Sequence, residues 1–277
     1  MRKVVDSNQL RAERLRVYLA ASDNNYAVLT DYAAMEAYKG DTLVTIYESM
    51  AILSDHSEQV LVLKNTRVGS GLRGRRRGLQ NRLIDHEQTR GFSKYVHNLR
   101  AAKNGNRALE RQLLEHGREA NRHLKRLLDD AQRRGATISE FSKMYSKEER
   151  KAIRTGQVYS SEMIDKTIKN VLYIAGLLFR DHPNVRTLPS FEELPNTLIF
   201  RIALCVYLLV LDWIAHGGAA NATAERHRND LIDMNFAAYG TFFDGLLTAD
   251  TKVEEIHQEA RIWLSALFDC QIAGLPQ

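Results

Sequence analysis

The chain has 277 residues, 44% of them hydrophobic and 26% charged, with four prolines and a formal net charge of +5. This excludes a disordered chain or a collagen-like fibre, and the length supports one large domain or two small ones with a real core. Two cysteines, Cys205 and Cys270, exclude a disulfide framework and a four-cysteine zinc site, so buried free thiols in a reducing, cytoplasmic setting are expected.

The charge is unevenly spread. Residues 64–151 hold 23 Lys and Arg against 10 Asp and Glu, a surplus of 13. The remainder holds 16 against 24, a deficit of 8. A basic element beside an acidic one suggests that the first grips a polyanion. Arg73, Arg75, Arg76 and Arg77 are the densest cluster and the candidate contacts for nucleic-acid phosphates. The plain alternative is a solvated helical face.

In chain order, Lys3–Val5 reads as a strand that stops on Asp6, after a start that lacks the apolar run of a signal peptide. Asn8–Ala21 reads as a helix, 27–29 as a strand, and Thr30 or Asp31 as the cap of a helix ended by Gly40. A helix over 41–53 and a strand over 59–63 follow. Strands alternating with helices predict a parallel α/β sheet. Gly69, Gly71 and Gly74 then mark a flexible basic stretch. From Leu99 to Ala131 a stripe holding Leu109, Leu113 and Leu124 predicts an amphipathic helix, one arm of a helical hairpin, with Gly135 breaking the run. More helices are expected over 137–182, then a link marked by Pro183, Pro189 and Pro195. The apolar run from Thr197 to Trp213 contains Arg201 and Asp212, which argues for a buried helix rather than a membrane span. Asn229–Phe243 reads as a helix stopped by Gly245, 246–248 as a short strand, and 252–268 as a closing helix.

Two strands thus end on acids, Asp6 and Asp250, and sites in open parallel sheets form beyond the carboxyl ends of strands. Glu36 lies on an early helix and Asp233 on a late one. Taken singly, Asp6 reads as a strand-end cap and Glu36 as a solvated helix residue. Asp230 and Asp233 lie one turn apart, with Asp230 the reserve ligand or orienter. Crowded carboxylates need a cation, and hard oxygen ligands suit Mg²⁺ or Mn²⁺, which can activate water for phosphodiester hydrolysis.

Several segments together resemble the PIN-domain family of nucleases. Val5-Asp6-Ser7-Asn8 resembles its opening strand end, Ala34-Met35-Glu36-Ala37 its second acidic position, Asp233 to Tyr239 the helix with the third acid, and Leu247-Thr248-Ala249-Asp250 its closing strand. The resemblance implies an α/β, Rossmann-like, PIN-type three-layer core with a parallel sheet. Residues 1–66 and 216–277 would form that core. Residues 67–215 would be a large, mostly α-helical, basic insertion, with its last apolar helix, 197–215, available to pack on the core. It implies catalysis and metal binding by Asp6, Glu36, Asp233 and Asp250, with support from Ser7, Asn8, Asp230 and Thr248. The expected activity is metal-dependent endonucleolytic cleavage, of RNA before DNA, in a cytoplasmic toxin or defence effector. An inhibitory or activating protein partner and homo-oligomerisation stay open, and no membrane partner is expected. The rivals are a non-catalytic nucleic-acid-binding or scaffold protein with this fold, and a structure-specific DNA nuclease.

Overall fold

The computed structural model describes residues 1–39, 42–73, 79–216 and 224–268. Expectations for Gly40, Asp41, Gly74, Arg75, Arg76, Arg77 and Cys270 lie outside them.

The chain forms an α/β fold with a small, all-parallel sheet and many helices. Strand β1 is Arg2–Val5, β2 Tyr26–Leu29, β3 Val60–Val62 and β4 Leu246–Leu247, in the order β3-β2-β1-β4. Val4 pairs with Val28 on one side and Leu246 on the other. Val4, Val5, Ala27 and Val28 are wholly buried, as strands covered on both faces must be. Helix α1 (Glu13–Ala20) connects β1 to β2, while α2 (Asp31–Ala37) and α3 (Leu43–Asp55) lead to β3. Thr30 caps α2, its hydroxyl accepting from the Ala33 amide. The helix expected over Asn8–Ala21 is in two pieces: a 3-10 turn, Ser7–Gln9, precedes α1.

Beyond β3, the stretch expected to be flexible begins as a short helix, α4 (Thr66–Ser70). Its glycine serves close approach: a Cβ on Gly69 would lie 3.2 Å from the Tyr239 hydroxyl. After α5 (Leu79–Leu83), the helical hairpin forms from α6 (His86–Lys103) and α7 (Arg107–Glu140). The break falls at Asn104–Asn106, where Gly105 adopts φ 94°, a left-handed turn that glycine accepts without a Cβ clash. Gly135 does not break α7, which runs on to Glu140. One glycine costs a helix about 1 kcal/mol, too little to interrupt 34 residues.

Helices α8 (Lys147–Arg154) and α9 (Ser161–Asp181) lead through a 3-10 segment, Phe191–Asn196, to α10 (Leu198–Ala215). Among the described residues α10 is the one helix long and apolar enough to cross a bilayer, and 83% of it is buried inside the protein. Its buried Arg201 explains how a charge is tolerated there. The guanidinium donates to the Pro195 carbonyl at 2.7 Å and the Thr241 carbonyl at 2.6 Å, and lies over the Phe242 ring. Helix α10 packs against α9, against α11 (Ala224–Gly240) and against α12 (Thr251–Phe268). One continuous hydrophobic cluster runs from the strands through α10 to Phe141, Tyr145 and Val171 of the helical part. Helix α11 ends at Gly240 rather than at Gly245, which instead takes φ 142° in the turn into β4.

Candidate functional site

Strand β1 is followed by β2 on one side, whereas β4 lies on its other side. The crevice between β1 and β4 is therefore a topological switch point, where α/β sheets place their sites. Asp6 sits there because the buried pair Val4-Val5 forces the next residue to the carboxyl edge. Its amide extends the ladder to the Leu247 carbonyl at 2.9 Å. The Ser7–Gln9 turn then folds two donors back onto the Asp6 carboxylate: Asn8 Nδ2 at 2.7 Å and Ser7 Oγ at 3.3 Å.

Thr248 comes from the other end of the chain. Its hydroxyl donates to Asp6 Oδ2 at 2.6 Å and accepts from the Asp250 amide at 3.0 Å. Asn8 Oδ1 accepts from the Ala249 amide at 3.0 Å, so Asn8 clasps both halves of the site. Arg14 fixes the Thr248 carbonyl at 2.9 Å. Burial pushes the Asp6 carboxyl above its usual range, and hydrogen bonds from Thr248, Asn8 and Ser7 oppose that rise.

Asp250 follows β4 and caps α12, its Oδ1 accepting from the Val253 amide at 3.1 Å. Asp233 projects from α11. Its carboxyl is pushed up to about 8, first by burial and then by the negative charges of Asp6, Asp250 and Asp230, with partial relief from Lys252. No hydrogen bond contributes to that balance. Asp233 thus feels both strand-end acids, although their positions span the sequence. Asp230 is differently placed. It is ion-paired to Lys252 Nζ at 2.5 Å and accepts from the Trp213 indole at 3.2 Å.

Glu36 is not drawn into this group. Helix α2 packs beside the Ser7–Gln9 turn, but the Glu36 carboxylate pairs with Lys39 at 3.2 Å, and its charge is absent from those acting on Asp233. Arg73 donates to the Thr187 hydroxyl at 3.0 Å, which ties this candidate phosphate contact to a neighbouring loop. Among the described residues, no three His, Cys, Asp or Glu side chains are gathered closely enough to hold a metal ion. The three aspartates share a field without sharing a coordination sphere.

Sequence reasoning missed Lys252 and Asp212. Lys252 lies in the first turn of α12, where the helix dipole disfavours a cation, and that is a signal of an acidic partner. Asp212 interrupts the apolar run of α10. Burial raises its carboxyl, and the charges of His216, Lys252 and Asp230 act on it. Its partner His216 lies 2.8 Å away at the end of that helix. Asp244 accepts from the Arg2 amide at 2.7 Å at the opposite end of β1 and so lies away from this group.

No family model matches the chain, and no match is found among curated proteins or solved structures.

Proposed function

We propose that this chain is a metal-dependent endonuclease with a PIN-like core, acting on RNA before DNA. The observation that carries the reading is the electrostatic convergence of Asp6, Asp233 and Asp250 at the carboxyl edge of a parallel sheet. In chemistry the donors fit a hard divalent cation: they are oxygen-only and anionic, and Asp233 lacks a hydrogen-bonded counter-charge. Asp6, Asp233 and Asp250 would have to draw closer than they stand in the structure to hold Mg²⁺ or Mn²⁺, which would then supply Lewis-acid stabilisation and an activated water there. Asn8 and Thr248 orient Asp6, and Asp230 with Lys252 sets the local charge. The basic surplus over residues 64–151 would retain the anionic backbone, and Glu36 would join only if it left Lys39. A cytoplasmic toxin or defence role, restrained by a protein partner, accords with such an activity.

The test is incubation of the purified chain with end-labelled RNA and DNA in Mg²⁺, Mn²⁺ or chelator. Metal-dependent fragments that Asp233→Asn abolishes are expected. A second reading, a non-catalytic nucleic-acid-binding protein, is favoured by the Lys252 ammonium already seated among the acids and by Glu36 paired elsewhere. Retained RNA binding without cleavage under every metal condition would select it.

A further inference from the structure

A second cavity, of about 780 Å³, opens on the other side of α11 from Asp233. On a helix, Leu231, Ile232 and Asn235 share one face, and Asp233 points away from it. The first three line the cavity, and Asp233 does not. Its walls come from α2, α4, α7, α9, α10 and α11, and they are mainly apolar, with Met35, Ile174, Leu178, Ile199, Ile202 and Val206 beside His123 and His182. A volume of this order accommodates a drug-sized molecule.

One wall carries an acid with a particular deficit. Asp31 lines the cavity at the start of α2. Its Oδ1 accepts from the Tyr32 amide at 3.1 Å and the Thr66 hydroxyl at 2.7 Å, and its Oδ2 accepts from the Thr66 amide at 2.7 Å. A carboxylate has about four acceptor sites, so one on Oδ2 is left. All three donors are neutral. Burial drives the Asp31 carboxyl up, and no cation of the described residues is among the main influences against that rise. Arg67 also lines the cavity, but it is exposed at the rim and not among the groups that act on Asp31. Asp181 also lines the cavity but is engaged by a partner of its own. A half-buried carboxylate that no described cation pairs, set in a mainly apolar wall, is complementary to an ammonium group on an apolar body.

We propose that this cleft binds a small organic cation, an apolar molecule that places one ammonium group against Asp31. The proposal is independent of the nuclease reading, because it concerns the opposite face of α11.

The probes are 2-phenylethylamine, the neutral 2-phenylethanol and the anionic 3-phenylpropionate, which share a body and differ in the head group. Their binding to the full chain is followed by ligand-observed NMR and calorimetry at pH 7. The amine is expected to bind about tenfold or more tighter than the alcohol, as one charge-assisted hydrogen bond provides, and the propionate more weakly still. Asp31→Asn removes the preference for the amine, whereas Ile202→Trp fills the cleft and removes binding of all three. Asp233→Asn leaves the amine affinity unchanged. Because Asp31 also anchors Thr66, Asp31→Asn is checked for folding by circular dichroism. If it fails to fold, the amine-to-alcohol ratio and Ile202→Trp decide. Equal affinity for amine and alcohol, amine binding that survives Ile202→Trp, or no binding of any probe at millimolar concentration overturns the proposal.

Discussion

Thr248 donates its hydroxyl proton to Asp6 Oδ2 across 2.6 Å, although 242 positions separate the two in the chain. Both residues are buried. The bond joins the end of the first strand to the end of the last, and it opposes the rise that burial imposes on the Asp6 carboxyl. Thr248→Val keeps the shape and deletes the donor. The expected loss is about 1–3 kcal/mol, the cost of leaving a buried acceptor short of a partner. Urea unfolding measures it, and Thr248→Ser should recover most of it. A Thr248→Val chain as stable as the parent would show that this hydrogen bond is incidental.

Asp233 predicts a pH dependence. Its ordinary value is 3.8 and its folded value about 8, so the folded chain holds a proton that the unfolded chain releases. The contribution is fully present below about pH 4 and is lost as pH rises towards about 8. Asp233→Asn cannot ionise. In chelator, its stability relative to the parent should therefore rise between pH 5 and pH 8, by about 1–3 kcal/mol after screening through the open side of the cleft. Unfolding curves at the two pH values decide it. Parallel curves for the two proteins would remove Asp233 from the field of Asp6 and Asp250.

Lys252 is the counter-charge of this region. Lys252→Met deletes the 2.5 Å ion pair with Asp230 and strands a carboxylate that is otherwise tied only to the Trp213 indole. A loss of about 3 kcal/mol at pH 8 is expected. A double variant with Asp230→Asn should regain most of it, and calorimetric melting at pH 8 measures both.

On cleavage, Asp230→Asn should cost less than Asp233→Asn. The Asp230 carboxylate is engaged by Lys252 and Trp213, whereas no hydrogen bond occupies Asp233. Single-turnover rates at limiting Mg²⁺ compare them. A larger loss at Asp230 would move the working carboxylate one helical turn.

Neutralising Arg75, Arg76 and Arg77 together should weaken RNA binding and flatten its salt dependence. On a single strand the log–log slope should fall by about 0.7 for each phosphate that the protein no longer neutralises. Filter binding over a salt series reads the slope. An unchanged slope would assign these arginines to another role.

The strand ends were legible because two neighbouring apolar residues before a polar one leave little choice of where the polar one goes. Val4-Val5-Asp6 and Leu246-Leu247-Thr248 both follow that rule. The partnership of Asp233 with both strand ends came from the order of motifs, but Glu36 did not follow. The structure places its helix beside the Ser7–Gln9 turn, while the rotamer that reaches Lys39 is a local matter that spacing does not encode. The hairpin boundary was missed because the apolar positions Leu99, Leu109 and Leu113 outweighed the Asn104-Gly105 pair, a turn signal that the positive φ of Gly105 bears out. The cavity beside Asp31 was invisible for a different reason: its walls come from six helices far apart in sequence, and a void has no residue pattern of its own.

The pairing of β4 with β1 also bears on how the protein is made. Translation delivers Asp6, Ser7 and Asn8 first, and Thr248 and Asp250 only after most of the chain has emerged. Until then β1 has a vacant edge beside it, and the early acid lacks the hydroxyl that steadies it. Pairings of such long sequence separation form late and slowly. On the proposed reading, a nascent chain on the ribosome would carry its basic helices before it carries a finished carboxylate group, so the machinery that synthesises it would meet a binder before a cutter.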